Sequence, residues 1–460
     1  MKKSTRLIII IICAILFLII APYIVLYSLG YRVDLANGKI IETGGIYVRV
    51  FPQGADVTIN SKIKNKTGIF SNSVFVQNLL PKQHNVLIEK EGYHNYQKNL
   101  LVKEQVVTKL ENVTLFKKEI LFDLLKNNAD YFSISPNNNI LIKADITSKE
   151  INFETINLGN SQKNEIVLSI KNGKILDSKW SNDSNSYLLK TNDGYFILNT
   201  SNSKLQFTKL PISTDIKEVY FDPENSNQLL FIKNKNLYST LNNKEMLKDV
   251  AGFSIKDQKI VWLSYDGFLY SYDIPNNLDH ITKKTGQEGD KINQEELLIK
   301  KNSNYKIIFV LGMTFVQEDE SLFILNEKLK TFEKFYSSVN DLKASPDGQK
   351  IILYNQHEIL YSLVNSVSQK ILLDKFDTSI GDVYWLNNDY LIFKSGDEII
   401  ISEIDTRGNI NNINLPILSL IDIEPKKLKS IPEKIIFNQQ DKKLYILTEG
   451  NLFVSEKLLP

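Results

Sequence analysis

Hydrophobic and polar positions follow three successive regimes along this chain. From Leu7 to Leu26 no residue carries a charge, and most are Ile or Leu. A helix over such a run spans roughly 30 Å, the thickness of a bilayer's hydrocarbon core. Residues 7–29 therefore read as a transmembrane anchor behind a short cytoplasmic tail, 1–6. Lys2, Lys3 and Arg6 precede the run, while Arg32 and Asp34 follow it and cancel, which places the N-terminus in the cytoplasm. A cleaved signal peptide would have a shorter apolar core and a small-x-small site, and Tyr27-Ser28-Leu29-Gly30-Tyr31 is a poor one. A lipoprotein would need a small residue before Cys13, where Ile12 stands.

After a linker, 30–43, the pattern changes to period two. Ile46, Val48 and Val50 share one face of a strand, Pro52-Gln53-Gly54-Ala55 makes a turn, and Val57 and Ile59 form the next strand. Val86-Leu87-Ile88 runs into Glu91-Gly92-Tyr93, and Leu100-Leu101-Val102 follows. In this order and over about this length the segment 44–117 resembles the PEGA domain, a small β-sandwich of bacterial and archaeal surface proteins. Pro52, Gln53, Gly54 and Ala55 match its namesake Pro-Glu-Gly-Ala with one conservative departure, and Gly92-Tyr93 matches its Gly-Tyr pair. Leu80-Pro81-Lys82-Gln83-His84 approximates the turn between them. The family's short Asp-Gly hairpin is replaced by the longer stretch from Asn60 to Gly68. These residues read as structural: the glycines supply backbone conformations, and Tyr93 packs across the sandwich.

From Lys118 to the end a unit recurs: short strand, polar turn, strongly apolar strand, second turn, aromatic-rich strand. Its clearest copy contains Ser345-Pro346-Asp347-Gly348 before Lys350-Ile351-Ile352-Leu353-Tyr354. Others carry Ser135-Pro136-Asn137, Trp180-Ser181-Asn182-Asp183, Phe221-Asp222-Pro223, Phe253-Ser254-Ile255, Tyr384-Trp385-Leu386 and Phe437-Asn438-Gln439, with a degenerate unit near residue 300. A little over 40 residues per unit is the length of a four-stranded propeller blade. The Ser-Pro-Asp-Gly turn resembles the repeats of TolB-like and WD-type propellers. The expected fold is all-β: an N-terminal transmembrane helix, a small sandwich at 44–117, and a propeller of eight, alternatively seven, blades over 118–460. The final unit runs out one strand short at Leu452-Phe453-Val454-Ser455, and the stretch from Glu119 to Leu125 is placed to supply the missing outer strand.

Charge narrows the function classes. Of 55 Lys and Arg, three precede the anchor, leaving 52 against 53 acidic residues. A near-neutral exported part excludes the clustered cation excess of a nucleic-acid binder. Cys13, the single cysteine, lies in the anchor, so no disulfide, thiol nucleophile or cysteine-bound metal is expected beyond it.

No catalytic constellation stands out: there is no Gly-x-Ser-x-Gly elbow, phosphate loop, dinucleotide fingerprint or His-Glu-x-x-His. His84, His94, His280 and His357 are scattered. The turn Asn182-Asp183-Ser184-Asn185 lacks the alternating acids of a calcium loop. The polar stretches Thr282–Glu296 and Glu424–Lys429 read as solvated loops. No catalytic residue, cofactor or metal is expected. The sequence points to an extracytoplasmic scaffold, anchored in the cell membrane, that binds envelope or surface proteins or peptides. The alternatives are a cell-wall glycan binder, stacking sugars on Trp180, Trp262 and Trp385, and a glycan lyase or hydrolase working in the propeller's central channel. Core packing between blades is the preferred role for the three tryptophans.

Overall fold

The computed structural model describes residues 3–459 apart from 35–37, 69–70, 203, 217–218, 223–225, 227, 241–243, 258, 274–288 and 416–430. It divides into two compact units, one of residues 1–121 with 400–419 and 458–460, the other of 122–399 with 420–457.

In the first unit, helix α1 (Lys3–Ser28) contains the uncharged run, and its apolar Ile8–Ser28 stretch is not buried against the rest of the chain. It is long and apolar enough to cross a membrane. The Arg32 guanidinium donates to Tyr27 O at 2.8 Å and lies 3.5 Å from the Tyr27 ring centre. A cation thus meets the carbonyl end of the helix dipole. The expected linker is in fact a hairpin, β1 (Tyr31–Asp34) against β2 (Lys39–Glu42). Thr43 closes it, donating from N and Oγ1 to Gly30 O at 3.0 and 2.6 Å.

The sandwich follows: β3 (Gly44–Phe51), β4 (Asp56–Ile59), β5 (Ile63–Lys66), β6 (Ser73–Leu79), β7 (Gln83–Glu89), β8 (Tyr96–Leu101) and β9 (Val107–Thr114). One sheet has the order β6-β3-β9, with β3 and β9 parallel, and the other β5-β4-β7-β8. The period-two pattern decides what is buried. Ile46, Val48, Val50, Val57, Ile59, Val86 and Ile88 are fully inaccessible and share one core. Burying each stabilises by about 1.5–3 kcal/mol.

Edge strand β8 is covered by residues 405–411. Asn409 donates to Gln97 O at 2.7 Å and accepts from Asn99 N, and Asn411 accepts from Gln97 N. Side-chain amides thus replace a neighbouring strand and blunt the edge. Gly408 is obligatory there: its φ is +69°, and a Cβ would lie 2.3 Å from Asn99 O.

The second unit carries the repeats. Eight four-stranded antiparallel sheets occur among the described residues, and they are the blades of a β-propeller. Blades I to VII begin with innermost strands Tyr131–Ile134, Ile175–Trp180, Val219–Phe221, Val250–Lys256, Tyr305–Val310, Asp341–Ala344 and Ile380–Trp385. Blade VIII begins with Lys434–Asn438. The unit boundary falls within the third strand of blade VII, Glu398–Glu403. Second strands are buried along nearly their whole length, as in Met313–Glu318 and Lys443–Thr448, because blades cover both their faces.

Apolar clusters bridge blades I and II, II and III, III and IV, IV and V, V and VI, and VIII and I. Polar bonds complete the ring: Trp385 Nε1 to Lys343 O between VI and VII, and Ile435 N to Asp382 Oδ2 between VII and VIII.

The ring closes as the sequence suggests. Phe122–Asn127 pairs with Asn451–Ser455 as the outer strand of blade VIII. Two expectations change. The unit near 300 is a regular blade; its first turn is the two-residue Leu311-Gly312, with φ +49° and +78°, instead of a Ser-Pro-Asp-Gly turn. Within Thr282–Glu296, Asp290–Lys291 is not loop but the short outer strand of blade IV. Residues 282–288 and Glu424–Lys429 lie outside the described residues.

Candidate functional site

Blades I, II and VI share one turn at the end of the innermost strand. In blade VI, Ser345 Oγ donates to Asp347 Oδ1 at 2.5 Å and accepts from Lys350 N at 3.0 Å. Asp347 Oδ1 also accepts from Gln349 N, and Gly348 takes φ +67°. Blade I repeats this with Ser135, Asn137 and a left-handed Asn138; blade II repeats it with Ser181, Asp183 and Ser184. Burial works against the charged form of Asp347. The bonds from Ser345 and Gln349 and the nearby Lys350 nonetheless hold its carboxyl below the ordinary carboxylate value. In these three blades the turn fixes where the innermost strand ends.

Immediately before the turn, Trp180 Nε1 donates to Ser133 Oγ of blade I at 3.0 Å, and Trp385 Nε1 donates to Lys343 O of blade VI at 3.1 Å. Both tryptophans tie a blade to its predecessor. Trp385 and Trp262 are 4% and 7% exposed, so neither offers an open face to a sugar.

One position earlier runs a feature that the sequence reading missed. Lys179 donates to Val219 O of blade III at 3.4 Å and lies 5.2 Å from the Tyr220 ring; Lys343 donates to Val383 O of blade VII at 2.6 Å and lies 4.5 Å from the Tyr384 ring. Lys434 reaches Phe132 O at 2.9 Å and sits 4.3 Å over Tyr131. Each lysine staples its blade forward to the next, by a carbonyl and an aromatic face. Desolvation lowers the Lys343 pKa, partly offset by Asp341 and Asp382. The signal was present in the sequence, as Lys179 and Lys343 both stand two residues before the turn serine.

Between the innermost strands of blades II to V opens a cleft of about 520 Å³, lined by Trp180, Tyr220, Phe221 and Ile255 with Lys179 and Lys306. Asp183 also faces it, but its carboxylate is taken up by Ser181 Oγ, Asn185 N and Asn185 Nδ2. Half-buried aromatics thus stand beside two exposed lysines. This chemistry suits a mixed apolar and anionic ligand surface.

In the sandwich, Pro52 and Gln53 lead into Gly54 at φ +76°, which turns Ala55 into the core, where it is fully buried and exchanges bonds with Thr67. Gly92, at φ +79°, accepts Lys118 N, and Tyr93 bridges to Lys117 while packing on the core. His84 is buried, with Nδ1 facing Asn60 Nδ2 at 2.7 Å and Nε2 facing Leu80 O at 2.8 Å. His94 has its pKa lowered by burial and by Lys118. Among the described residues no group of three His, Cys, Asp or Glu is placed to hold a metal ion. The inner-strand carboxylates have partners: Asp341 Oδ1 accepts Leu342 N, Asp382 accepts Ile435 N, and Asp177 accepts Ser178 N.

The PEGA domain family model matches residues 43–118. No curated protein matches the chain. Among solved structures, the C-terminal WD40 domain of Sif2 is similar at 12% identity and TM-score 0.49, covering 73% of this chain and 98% of that one. The computationally designed Ika8 protein is similar at 11% identity and TM-score 0.45, over 72% and 97%. A chain of the mitotic checkpoint complex is similar at 11% identity and TM-score 0.41, over 74% and 92%. The chain thus combines a segment, 43–118, that matches the PEGA domain family with a propeller of four-stranded blades.

Proposed function

We propose that the protein is a membrane-anchored, extracytoplasmic scaffold whose propeller binds envelope or surface proteins, or peptides from them. The observation that carries this reading is the cleft across blades II to V, where Trp180, Tyr220 and Phe221 stand beside Lys179 and Lys306. Aromatic anchors in a concavity with cations at hand are the makings of a protein-binding hot spot. The helix α1 supports anchoring, and the resemblance of Ser345-Pro346-Asp347-Gly348 to the turns of TolB-like propellers supports the outward placement.

The test is a photo-crosslinking amino acid at Asn182 or Lys306 of the full chain in its native cell. Envelope polypeptides captured at these positions, and lost on Trp180→Ala, are the expected result. Retention on purified cell-wall glycan without any captured polypeptide would replace this reading with the glycan-binding one. For topology, protease added to spheroplasts should degrade everything beyond Arg32.

A further inference from the structure

The two ends of the sandwich differ. Register places Gly44 opposite Leu79, Gly45 opposite Val107 and Gln83 opposite Leu101, so these residues mark one end. Phe51 opposite Thr114 and Asp56 opposite Glu89 mark the other. Helix α1 joins at the first end: Thr43 holds Gly30 O by two bonds, and Gln105 N donates to Thr43 O at 3.1 Å. Gly30, two residues beyond the end of α1, is therefore tied through Thr43 to the loop from Val102 to Val107.

This same end exposes apolar side chains. Ile40 is 60% accessible, Leu101 54%, Val106 47% and Val107 42%. Around them Lys62, Lys82 and Lys103 are exposed on the turns that close this end, with Glu104 exposed in the same loop as Lys103. Four exposed aliphatic residues with three lysines against one exposed acid suit an interface with apolar chains beneath and phosphates above. Because α1 ends at Ser28 and Gly30 is held by Thr43, a bilayer that contains α1 brings its outer surface to this end.

We propose that this end of the sandwich is a lipid-contacting surface, with Ile40, Leu101, Val106 and Val107 seated in the outer interface of the bilayer that α1 crosses. The proposal rests on the reading of α1 as a retained anchor. It makes the sandwich a plinth on the membrane rather than a module swinging above it.

The experiment uses the full chain reconstituted in vesicles of phosphatidylethanolamine and phosphatidylglycerol, with and without brominated acyl chains. A bimane label is placed on native Cys13, or on Leu101→Cys, Val107→Cys or Phe51→Cys in a Cys13→Ser background. Strong quenching by brominated lipid is expected at 13, about twofold quenching at 101 and 107, and none at 51 on the opposite end. Quenching at 13 with none at 101 and 107 overturns the lipid surface and leaves the anchor standing. No quenching at 13 refutes the anchor, and the proposal falls with it. Labels at 101 and 107 shielded from aqueous iodide yet blind to brominated lipid would overturn the proposal in favour of a second copy covering the patch.

Discussion

Lys98 Nζ donates to Glu403 Oε1 at 2.5 Å, and both side chains are buried, at 0% and 3% exposure. Lys98 also donates to Asp405 O at 2.7 Å and Asn409 O at 3.0 Å, so its three donors are satisfied. Glu403 accepts in addition from Tyr96 Oη and from Asn411 N and Nδ2. Removing one charge leaves the other buried and unpaired, which costs about 3–5 kcal/mol. Lys98→Met or Glu403→Leu alone should therefore lower the unfolding midpoint in urea sharply, while the double variant recovers most of the loss. Additive losses in that double-mutant cycle would disprove the coupling.

The turn built on Ser345 and Asp347 predicts a pH-dependent contribution. Asp347 has a folded pKa below its ordinary value, so its contribution is present above about pH 4 and is lost as pH falls through the folded value. Asp347→Asn and Ser345→Ala should each cost about 1 kcal/mol at neutral pH. For Asp347→Asn the gap to the wild type should narrow at pH 3. A gap of unchanged size in acid would show that the carboxylate's charge contributes nothing.

Where side chains act on near neighbours, the sequence was informative. Pro52-Gln53-Gly54-Ala55, Gly92-Tyr93 and the Ser345 turn are local devices whose residue types follow from their dihedrals and short-range bonds. The missing strand of blade VIII was legible because the last repeat ended one strand early. What stayed hidden depends on partners far away in the chain. The alternation of β8 assigns position 98 to the same inward face as Tyr96 and Leu100, where a lysine looks misplaced until Glu403 is seen beside it. The lysine staples have the same cause, since Lys434 finds its carbonyl on Phe132. Blade V looked degenerate only because Leu311-Gly312 makes a shorter turn. The cleft on blades II to V joins residues from separate repeats, and no single repeat announces it.

Several tyrosines predict alkaline sensitivity. Burial, with Asp177 and Asp215 nearby, pushes Tyr195 up to about 12, and burial raises Tyr305, Tyr354, Tyr384 and Tyr445 as well. An unfolded tyrosine loses its proton near 10, so above that pH the native state binds more protons and stability falls as pH rises. Phenolate absorbance should thus rise in two steps, the second coinciding with loss of β-sheet signal. Tyr195→Phe should make the alkaline decline shallower. Its cost at pH 7 should be small, because Ile216 O keeps its bond from Lys190 Nζ at 2.8 Å. A single absorbance step at the ordinary pKa, with structure intact, would contradict the burial.

Ring closure can be locked covalently. Asp123 and Val454 face each other across the pairing that completes blade VIII, although they stand at opposite ends of the propeller sequence. Cysteines at both positions, in a Cys13→Ser background, should form a disulfide on mild oxidation, because paired strand residues bring their Cβ atoms within reach. A cross-link closing so long a loop restricts the unfolded chain and should stabilise by about 6 kcal/mol in the chain-entropy model. The expected readout is faster migration of the unreduced chain on denaturing gels, with a higher thermal midpoint that reverts on reduction. Two cysteines that stay free under oxidant, or that link only between molecules, would mean the first and last strands do not pair within one chain. The propeller would then have open edges at its seam, and the chain should associate through them.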